Sequence, residues 1–281
     1  MRDHTSTPPA AAIILGAMKA GTTQLFHTLA AHPEVIGSAL KEPNFFINHP
    51  YGGNWWRGGD WYQSLFRNDP GLRLEASTAY TKDHLDDQAA LRIRMLCPEV
   101  KLIYLVRDPV DRAVSHYLHN VTEGRERSPI QEALLDPESA YNTVGLYYRQ
   151  LTPYLRLFPS SQILVVQAEL LWQAPELTLA EILRFLGIRV IDLPLAAQRH
   201  ATADRIASLR GVSPGSPLPP FEPGKGPGAR ILGEMAGLTP ELRTRMAEFF
   251  VDDQRQLREI HARKVTGRVQ ETEMNVPLGR L

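Results

Sequence analysis

A glycine-bounded turn near the N-terminus has the residue types of a phosphate-binding loop. The stretch Gly16-Ala-Met-Lys-Ala-Gly21 follows an apolar run at residues 11–15, and Thr22, Thr23 and a helical apolar pattern come next. Strand, glycine loop and helix is the order that opens a βαβ unit, and the N–H groups of such a loop favour an anion. The pattern predicts a phosphate site, with an ordinary strand-to-helix turn as the alternative.

The position of the lysine decides which phosphate chemistry this loop favours. The common nucleoside-triphosphate loop carries Lys directly after the second glycine, followed by a Ser or Thr that holds Mg²⁺. Here Thr22 takes the place of that lysine, and Lys19 lies inside the loop. We expect the loop to cradle one phosphate while Lys19 neutralises charge on the group beyond it.

Short apolar runs alternate with helical patterns along the chain, which is typical of a parallel sheet covered on both faces. We therefore predict an α/β fold, a P-loop-like parallel sheet of about five strands with helices on both faces. A helical turn is also expected at Pro43. The predicted strands are residues 11–15, 35–38, 72–76, 101–106 and 162–166, and the predicted helices are 22–31, 61–66, 83–96, 109–121, 145–158, 175–186 and 240–260.

Three segments resemble the motifs of the sulfotransferases that use 3′-phosphoadenosine 5′-phosphosulfate (PAPS). Lys19-Ala-Gly-Thr-Thr23 resembles their 5′-phosphosulfate loop, and Arg107-Asp-Pro-Val-Asp-Arg-Ala-Val-Ser115 resembles their 3′-phosphate motif. Lys41-Glu-Pro-Asn-Phe-Phe46 looks like the segment that carries the base in the heparan-sulfate-type branch. The resemblance covers about residues 11–260. It implies transfer of a sulfuryl group from PAPS to a hydroxyl or amine of a carbohydrate or small molecule.

The resemblance also implies a role for each residue at a matching position. Glu42 would act as general base on the acceptor, and Lys19 would neutralise charge on the oxygen bridging to the 5′-phosphate. His119 is placed by helical spacing instead: it lies four residues after Ser115, one turn along the predicted helix, and would face the sulfuryl group. A helix N-terminal acid and a surface histidine are the alternatives for Glu42 and His119. The residues implied to bind the cofactor are Ala20, Gly21, Thr22, Thr23, Gln24, Arg107, Ser115, Lys225 and Gly226, and no metal is expected.

The segment after the third predicted strand departs from the family pattern. Heparan-sulfate-type members often have Glu-Lys-Thr-Pro-x-Tyr there, whereas this chain has Glu75-Ala-Ser-Thr-Ala-Tyr80, so that Ala76 replaces the lysine. This difference leaves the acceptor and part of the catalytic set open. Four nearby aromatic residues form either an acceptor platform or the packing of an insertion: Trp55, Trp56, Trp61 and Tyr62.

Two other functions are compatible with parts of the sequence. A P-loop kinase or NTPase would bind a metal ion with the acid after strand 101–106, but Arg107 precedes that acid and no lysine follows Gly21. A non-catalytic PAPS-binding protein would keep Arg107 and Ser115 and would lose nothing when Glu42 is changed to Gln.

The composition bears on the partners and the cellular compartment of the protein. Lys+Arg and Asp+Glu are both 31, so the formal net charge of zero argues against a nucleic-acid partner. The single cysteine, Cys97, suits a reducing compartment, and no apolar run has the length of a signal peptide or a membrane span. We therefore expect a cytoplasmic protein. We also expect one domain over residues 1–281, with a core at about 11–260, flexible ends at 1–9 and 265–281, and a substrate or cofactor loop at 198–228.

Overall fold

A parallel sheet of five strands forms the centre of the protein. The computed structural model describes residues 10–197 and 237–260. The strands are β1 (Ala12–Gly16), β2 (Val35–Gly37), β3 (Leu72–Ala76), β4 (Lys101–Val106) and β5 (Ile163–Gln167). Their order across the sheet is β2-β3-β1-β4-β5, and all neighbours pair in parallel. The predicted P-loop-like α/β fold is confirmed.

The strand order places β1 where the direction of winding changes. β3 and β2 lie on one side of β1, while β4 and β5 lie on the other. In open α/β sheets, ligands bind beyond the carboxyl ends of the strands at such a switch point. The glycine loop after β1 and Arg107 after β4 both begin at this edge.

The central strands are buried along almost their whole length. All five residues of β1 and five of the six residues of β4 are buried. Because successive side chains of a strand point to opposite faces, this burial requires cover on both faces of the sheet. It explains why these strands read as unbroken apolar runs rather than as an alternating pattern.

Helices connect and cover the strands. α9 illustrates how the sequence bounds them, because it starts at Pro175 and ends before Gly187, whose φ of 75° closes the last turn. The helices are α1 (Thr22–Ala30), α2 (Gly58–Ser64), α3 (Ala89–Leu96), α4 (Pro109–Thr122), α5 (Ile130–Leu135), α6 (Ala140–Thr143), α7 (Tyr147–Leu157), α8 (Ala168–Gln173), α9 (Pro175–Leu186), α10 (Pro240–Glu248) and α11 (residues 251–260). Short 3₁₀ turns lie at His49–Tyr51, Trp55–Arg57, Thr78–Thr81 and Ser160–Gln162.

A second apolar cluster fixes α4, the helix that carries Ser115. Tyr117 of α4, Leu134 of α5, and Met246 and Phe250 near the end of α10 are buried together. The predicted helix over 240–260 is interrupted at residues 249–250, where Phe250 enters this cluster. No helix in the described ranges is long and apolar enough to cross a membrane.

The predicted helix over residues 83–96 begins only at Ala89. Asp86 prevents the earlier start, because its carboxylate accepts hydrogen bonds from the backbone N–H of Asn48 (2.8 Å) and forms a largely buried ion pair with Arg92 (2.6 Å). A side chain that bonds to backbone elsewhere competes with helix formation.

Most of the aromatic side chains between positions 45 and 66 pack in the core. Phe45 stacks on Tyr62 with ring centroids 4.3 Å apart, and Tyr62 is fully buried. Trp55 and Trp61 pack against the main core, whereas 61% of Trp56 is exposed. Packing therefore accounts for three of the four candidate platform residues.

Candidate active site

The loop between β1 and α1 is held against the neighbouring strand and leads directly into a helix. The N–H of Ala17 donates to the carbonyl oxygen of Leu105 (2.6 Å), which ties the loop to β4. Lys19 (φ 70°) and Gly21 (φ 96°) both have left-handed backbone. Gly21 has no side chain to cap α1, and the first turn of that helix contains no acidic residue. The start of α1 therefore favours an anion.

Trp172, which no sequence motif singled out, lies against this loop. A Cβ atom on Gly21 would lie 3.5 Å from the indole ring. Gln24 holds the ring, because its side-chain oxygen accepts a hydrogen bond from the indole N–H (3.0 Å) while its NH₂ group donates to Ala196 (2.9 Å). The guanidinium carbon of Arg107 lies 5.5 Å from the ring centroid. The amide of Gln24, assigned to the cofactor from the sequence, thus binds Trp172 and Ala196.

The structure brings Lys19 and Arg107 together. Nη1 of Arg107 lies 3.5 Å from the carbonyl oxygen of Lys19, and Nη2 lies 4.0 Å from Asp111 Oδ2. Burial, and then the positive charge of Arg107, lower the pKa of the Lys19 ammonium. Ser115 lies further along α4 and is half-buried. The two cations predicted for the two ends of the donor therefore face one region.

The loop of Glu42 has an unusual backbone in place of the helical turn predicted at Pro43. Glu42 (φ 59°) and Asn44 (φ 46°) both have left-handed backbone, which is uncommon for residues other than glycine. The two carboxylate oxygens of Glu42 accept hydrogen bonds, one from Lys41 Nζ (2.8 Å) and one from the Thr78 hydroxyl (3.1 Å). The predicted base is thus held by two donors.

The 3₁₀ turn after β3 links the Glu42 loop to the phosphate loop. The N–H of Glu42 donates to the carbonyl oxygen of Ala76 (2.8 Å), just before this turn. At the end of the turn, the hydroxyl of Thr81 donates to the carbonyl oxygen of Leu15 (3.1 Å). A Cβ atom at Gly16 would lie 2.3 Å from that hydroxyl oxygen, so this contact requires glycine.

α4 contributes two histidines, of which the sequence singled out the less buried one. His119 is half-buried, whereas His116 is 7% exposed and its ring packs on Tyr141 at 4.8 Å. Within the described residues, Nδ1 of His116 has no hydrogen-bond partner. Burial lowers the pKa of His116 to about 2, so this imidazole is neutral. The positive charges that lower it further are, in order, those of Arg112, Lys82, His119 and Lys19.

Arg112 of α4 adds a fully buried positive charge that acts on His116. One of its nitrogens donates to the carbonyl oxygen of Tyr141, while Nε and Nη1 have no acceptor within the described residues. Burial lowers the pKa of Arg112, and the neighbouring Arg107 lowers it further. The region between Glu42 and the phosphate loop is therefore rich in positive charge, which suits an anionic substrate.

Comparison with known families identifies the chain. The family model described as "sulfotransferase domain" matches residues 9–203, well over half of the sequence. The chain belongs to the sulfotransferase domain family. The sequence-based prediction of this family is therefore confirmed, and it is favoured over the P-loop kinase or NTPase alternative.

Similar proteins agree with this assignment. The mouse heparan sulfate glucosamine 3-O-sulfotransferases 3A1 and 3B1 are 32% and 34% identical over 191 residues, which cover 64% of this chain and 46% of each relative. This match therefore spans less than half the length of those relatives. A sulfotransferase structure from Alicyclobacillus acidocaldarius has a TM-score of 0.59 at 28% identity, with 73% of this chain and 91% of that chain covered. Mouse sulfotransferase SULT7A1 complexed with PAP has a TM-score of 0.54 at 15% identity, covers 92% of this chain and 89% of that one, and shows the fold alone.

Some predicted features of this sulfotransferase-family chain lie outside the described ranges. Lys225 and Gly226, with the predicted loop at 198–228, fall between the two described ranges. Across the described ranges, no group of three or more His, Cys, Asp or Glu side chains forms a potential metal site. The roles assigned to individual residues remain predictions.

Proposed function

We propose that the protein transfers a sulfuryl group from PAPS to a hydroxyl group of a carbohydrate. The observation that carries this proposal is that the phosphate loop, Arg107 and Glu42 are held together at the switch point of the sheet. Membership of the sulfotransferase domain family supports the reaction. The names of the mouse relatives, which specify a heparan sulfate glucosamine, support a carbohydrate acceptor.

The residues of the site fit the charge of the donor. The N–H groups at the start of α1 and the ammonium of Lys19 suit its 5′-phosphosulfate end. Arg107 suits the 3′-phosphate, because a guanidinium binds phosphate through two parallel hydrogen bonds. Trp172 offers an aromatic face directly beside Arg107. The donor supplies a sulfuryl group that is already joined to a phosphate leaving group.

Catalysis in this proposal depends on position and charge. Glu42 takes the proton of the acceptor hydroxyl, whose oxygen forms a bond to sulfur. The bond between sulfur and the 5′-phosphate oxygen breaks, and its electron pair stays on that oxygen. Lys19 offsets the negative charge that grows there. The products are a sulfate ester and adenosine 3′,5′-bisphosphate.

Calorimetric titration tests the donor site first. We expect adenosine 3′,5′-bisphosphate to bind with micromolar or tighter affinity, and ATP with Mg²⁺ to bind much more weakly. If the protein bound ATP with Mg²⁺ tightly and did not bind the bisphosphate, the P-loop kinase or NTPase alternative would be favoured instead. Transfer from ³⁵S-labelled PAPS to a panel of oligosaccharides, amino sugars and small phenols then defines the acceptor class.

Glu42→Gln tests the catalytic role of the base. We expect kcat to fall by about 10²–10⁴-fold, the usual contribution of general base catalysis, with the affinity for the bisphosphate unchanged. Glu34→Gln is the matched control, because Glu34 forms an exposed ion pair with Arg189 (2.6 Å) before β2. Wild-type turnover by the Glu42 variant would show that Glu42 is not the general base.

A cytoplasmic location is also proposed. Its support is the single cysteine, Cys97, which is buried and unpaired and so suits a reducing compartment. Fractionation of cells that express the full-length protein tests it.

A further inference from the structure

Lys82 follows the 3₁₀ turn that joins the two halves of the site. Thr78, at the start of this turn, donates to the carboxylate of Glu42, and Thr81, at its end, donates to Leu15 immediately before the phosphate loop. The backbone N–H of Lys82 donates to Ala79 and closes the turn (3.2 Å). The backbone of Lys82 is therefore held relative to both the predicted base and the phosphate loop.

The side chain of Lys82 is largely withdrawn from solvent among charged groups of the site. Burial lowers the pKa of its ammonium, the negative charge of Glu42 opposes this shift, and Arg112 adds to it. The charge of Lys82 in turn acts on His116 of α4. Lys82 is therefore close enough to Glu42, Arg112 and His116 for their charges to interact.

The ammonium of Lys82 lacks a hydrogen-bond acceptor within residues 10–197 and 237–260. It forms no ion pair there, although it interacts with Glu42 through space. Both oxygens of Glu42 already accept bonds, from Lys41 and Thr78. Lys82 is half-buried, and partial withdrawal of an ammonium from water without an acceptor costs free energy, which a bound anion would offset by supplying contacts.

The sulfuryl group of the donor is the anion that the proposed reaction brings to this place. It lies beyond the phosphate that the loop holds, and Glu42 must approach it from the other side. Two negative groups brought together repel each other, which opposes the reaction unless a positive charge lies near both. The Lys82 ammonium interacts with Glu42 and follows the turn that contacts the phosphate loop.

We infer that Lys82 is a further catalytic residue, whose ammonium contacts the sulfuryl oxygens and offsets their repulsion with Glu42. This inference rests on the proposed function. Lys82 acts as a charge and transfers no proton, so the bonds formed and broken are those given above. The acceptor proton still goes to Glu42, and the electron pair of the broken bond stays on the 5′-phosphate oxygen.

Lys82→Met keeps the length of the side chain and removes its charge. We expect kcat to fall by about 10²–10³-fold, the usual loss for one preorganised charge contact. The KM for the acceptor and the dissociation constant of the bisphosphate, which carries no sulfuryl group, should stay within about twofold. Lys101→Met is the matched control. The ammonium of Lys101 donates to the carbonyl oxygen of Ser161 (3.1 Å) at the start of β4, whereas the site lies beyond the other end of this strand.

Two results of this experiment would overturn the inference. An unchanged kcat would remove Lys82 from catalysis, and a rise confined to the acceptor KM would assign it to acceptor binding. An inactive wild-type protein that does not bind the bisphosphate would instead refute the proposed function. A melting temperature measured for each variant separates loss of catalysis from loss of folding.

Chemical rescue provides a second, independent measurement. In Lys82→Cys, treatment with 2-bromoethylamine converts the new side chain into a lysine analogue, and the native Cys97 is protected because it is only 3% exposed. We expect the treated variant to recover at least about a tenth of the wild-type kcat, with treated wild-type protein as the control. A folded variant, shown by mass spectrometry to be modified, that stays inactive would contradict a role for the charge.

Discussion

Replacing Trp172 tests whether the indole orders the binding site for the donor. The indole ring lies against the phosphate loop at Gly21, and the guanidinium of Arg107 lies over the face of the ring. The indole N–H donates a hydrogen bond to Gln24, which holds the ring in place. Trp172→Leu keeps an apolar side chain on α8 and removes all three contacts. The phosphate loop keeps its own hydrogen bonds in this variant, so the expected defect lies in Arg107.

The size of the effect follows from what Arg107 loses. A guanidinium 5.5 Å from an indole centroid gains about 0.5–2 kcal/mol, depending on its exposure. With about a quarter of the Arg107 side chain exposed, we take an intermediate value. A loss of about 1–2 kcal/mol weakens the binding of adenosine 3′,5′-bisphosphate by roughly 5–30-fold.

Calorimetric titration of the wild type, Trp172→Leu and Trp56→Leu with adenosine 3′,5′-bisphosphate tests this prediction. Trp56→Leu is the matched control, because Arg57 lies over the Trp56 ring at 5.1 Å but Trp56 is an exposed residue of the insertion. We expect its affinity for the bisphosphate to equal that of the wild type. If a folded Trp172→Leu protein binds the bisphosphate within about twofold of wild type, the indole does not order Arg107 and the reasoning is wrong.

Two further predictions concern the loop lysine and a buried acid. Lys19→Ala should lower transfer by about 2–4 kcal/mol of transition-state stabilisation, measured as kcat, and wild-type turnover would contradict its assignment to the leaving oxygen. Burial raises the pKa of Glu75 to about 8, so between about pH 4.3 and 8 the folded protein keeps a proton that the unfolded chain has lost. The free energy of unfolding should therefore fall with rising pH across this window, by up to ~1.4 kcal/mol per pH unit. Glu75→Gln should flatten that slope in urea titrations at pH 5, 6.5 and 8.5, and an unchanged slope would mean that Glu75 is not the group responsible.

The strands of the sheet could be predicted because the residue pattern of each strand agrees with the position that it takes in the fold. β3 and β4 were predicted with their observed ends. β4 reads as a nearly continuous apolar run because it is buried on both faces, whereas in β3 the apolar residues Leu72, Leu74 and Ala76 alternate with charged residues, at the period of a strand. α9 was predicted with its observed ends as well, because Pro175 and Gly187 mark the two termini chemically. Such elements need no information from elsewhere in the chain.

The errors and omissions arise where distant residues decide the local structure. α3 starts late because Asp86 binds the backbone of Asn48. His119 was predicted from its helical spacing to Ser115, and that spacing does not show that His116, three residues before it, is the more buried of the two and is subject to the positive charges of Arg112 and Lys82. Trp172 and Lys82 belong to no motif. Trp172 is placed by its hydrogen bond to Gln24 and by the guanidinium of Arg107 over its ring, and Lys82 interacts with the charge of Glu42, all residues far away in sequence.

The backbone supports the location of the site independently of any motif. Within the described residues, the non-glycine residues with left-handed φ are Lys19, Glu42 and Asn44. Two of them are residues that the sequence assigned to catalysis, and that assignment made no use of backbone conformation. Such conformations cost free energy and persist where surrounding bonds hold them. Those bonds are present here: Glu42 donates to the carbonyl oxygen of Ala76, and Asn44 donates to the hydroxyl of Ser77.

Strain of this kind has a physical use in sulfuryl transfer. The reaction offers the protein little covalent chemistry, so rate depends on holding a base and a cation at fixed positions around the sulfur. A left-handed residue in a short loop aims its side chain in a direction that extended or helical backbone does not allow at that point. In the proposed mechanism, the unusual backbone of Lys19 and Glu42 lets two loops, from the ends of β1 and β2, aim opposite charges at one substrate.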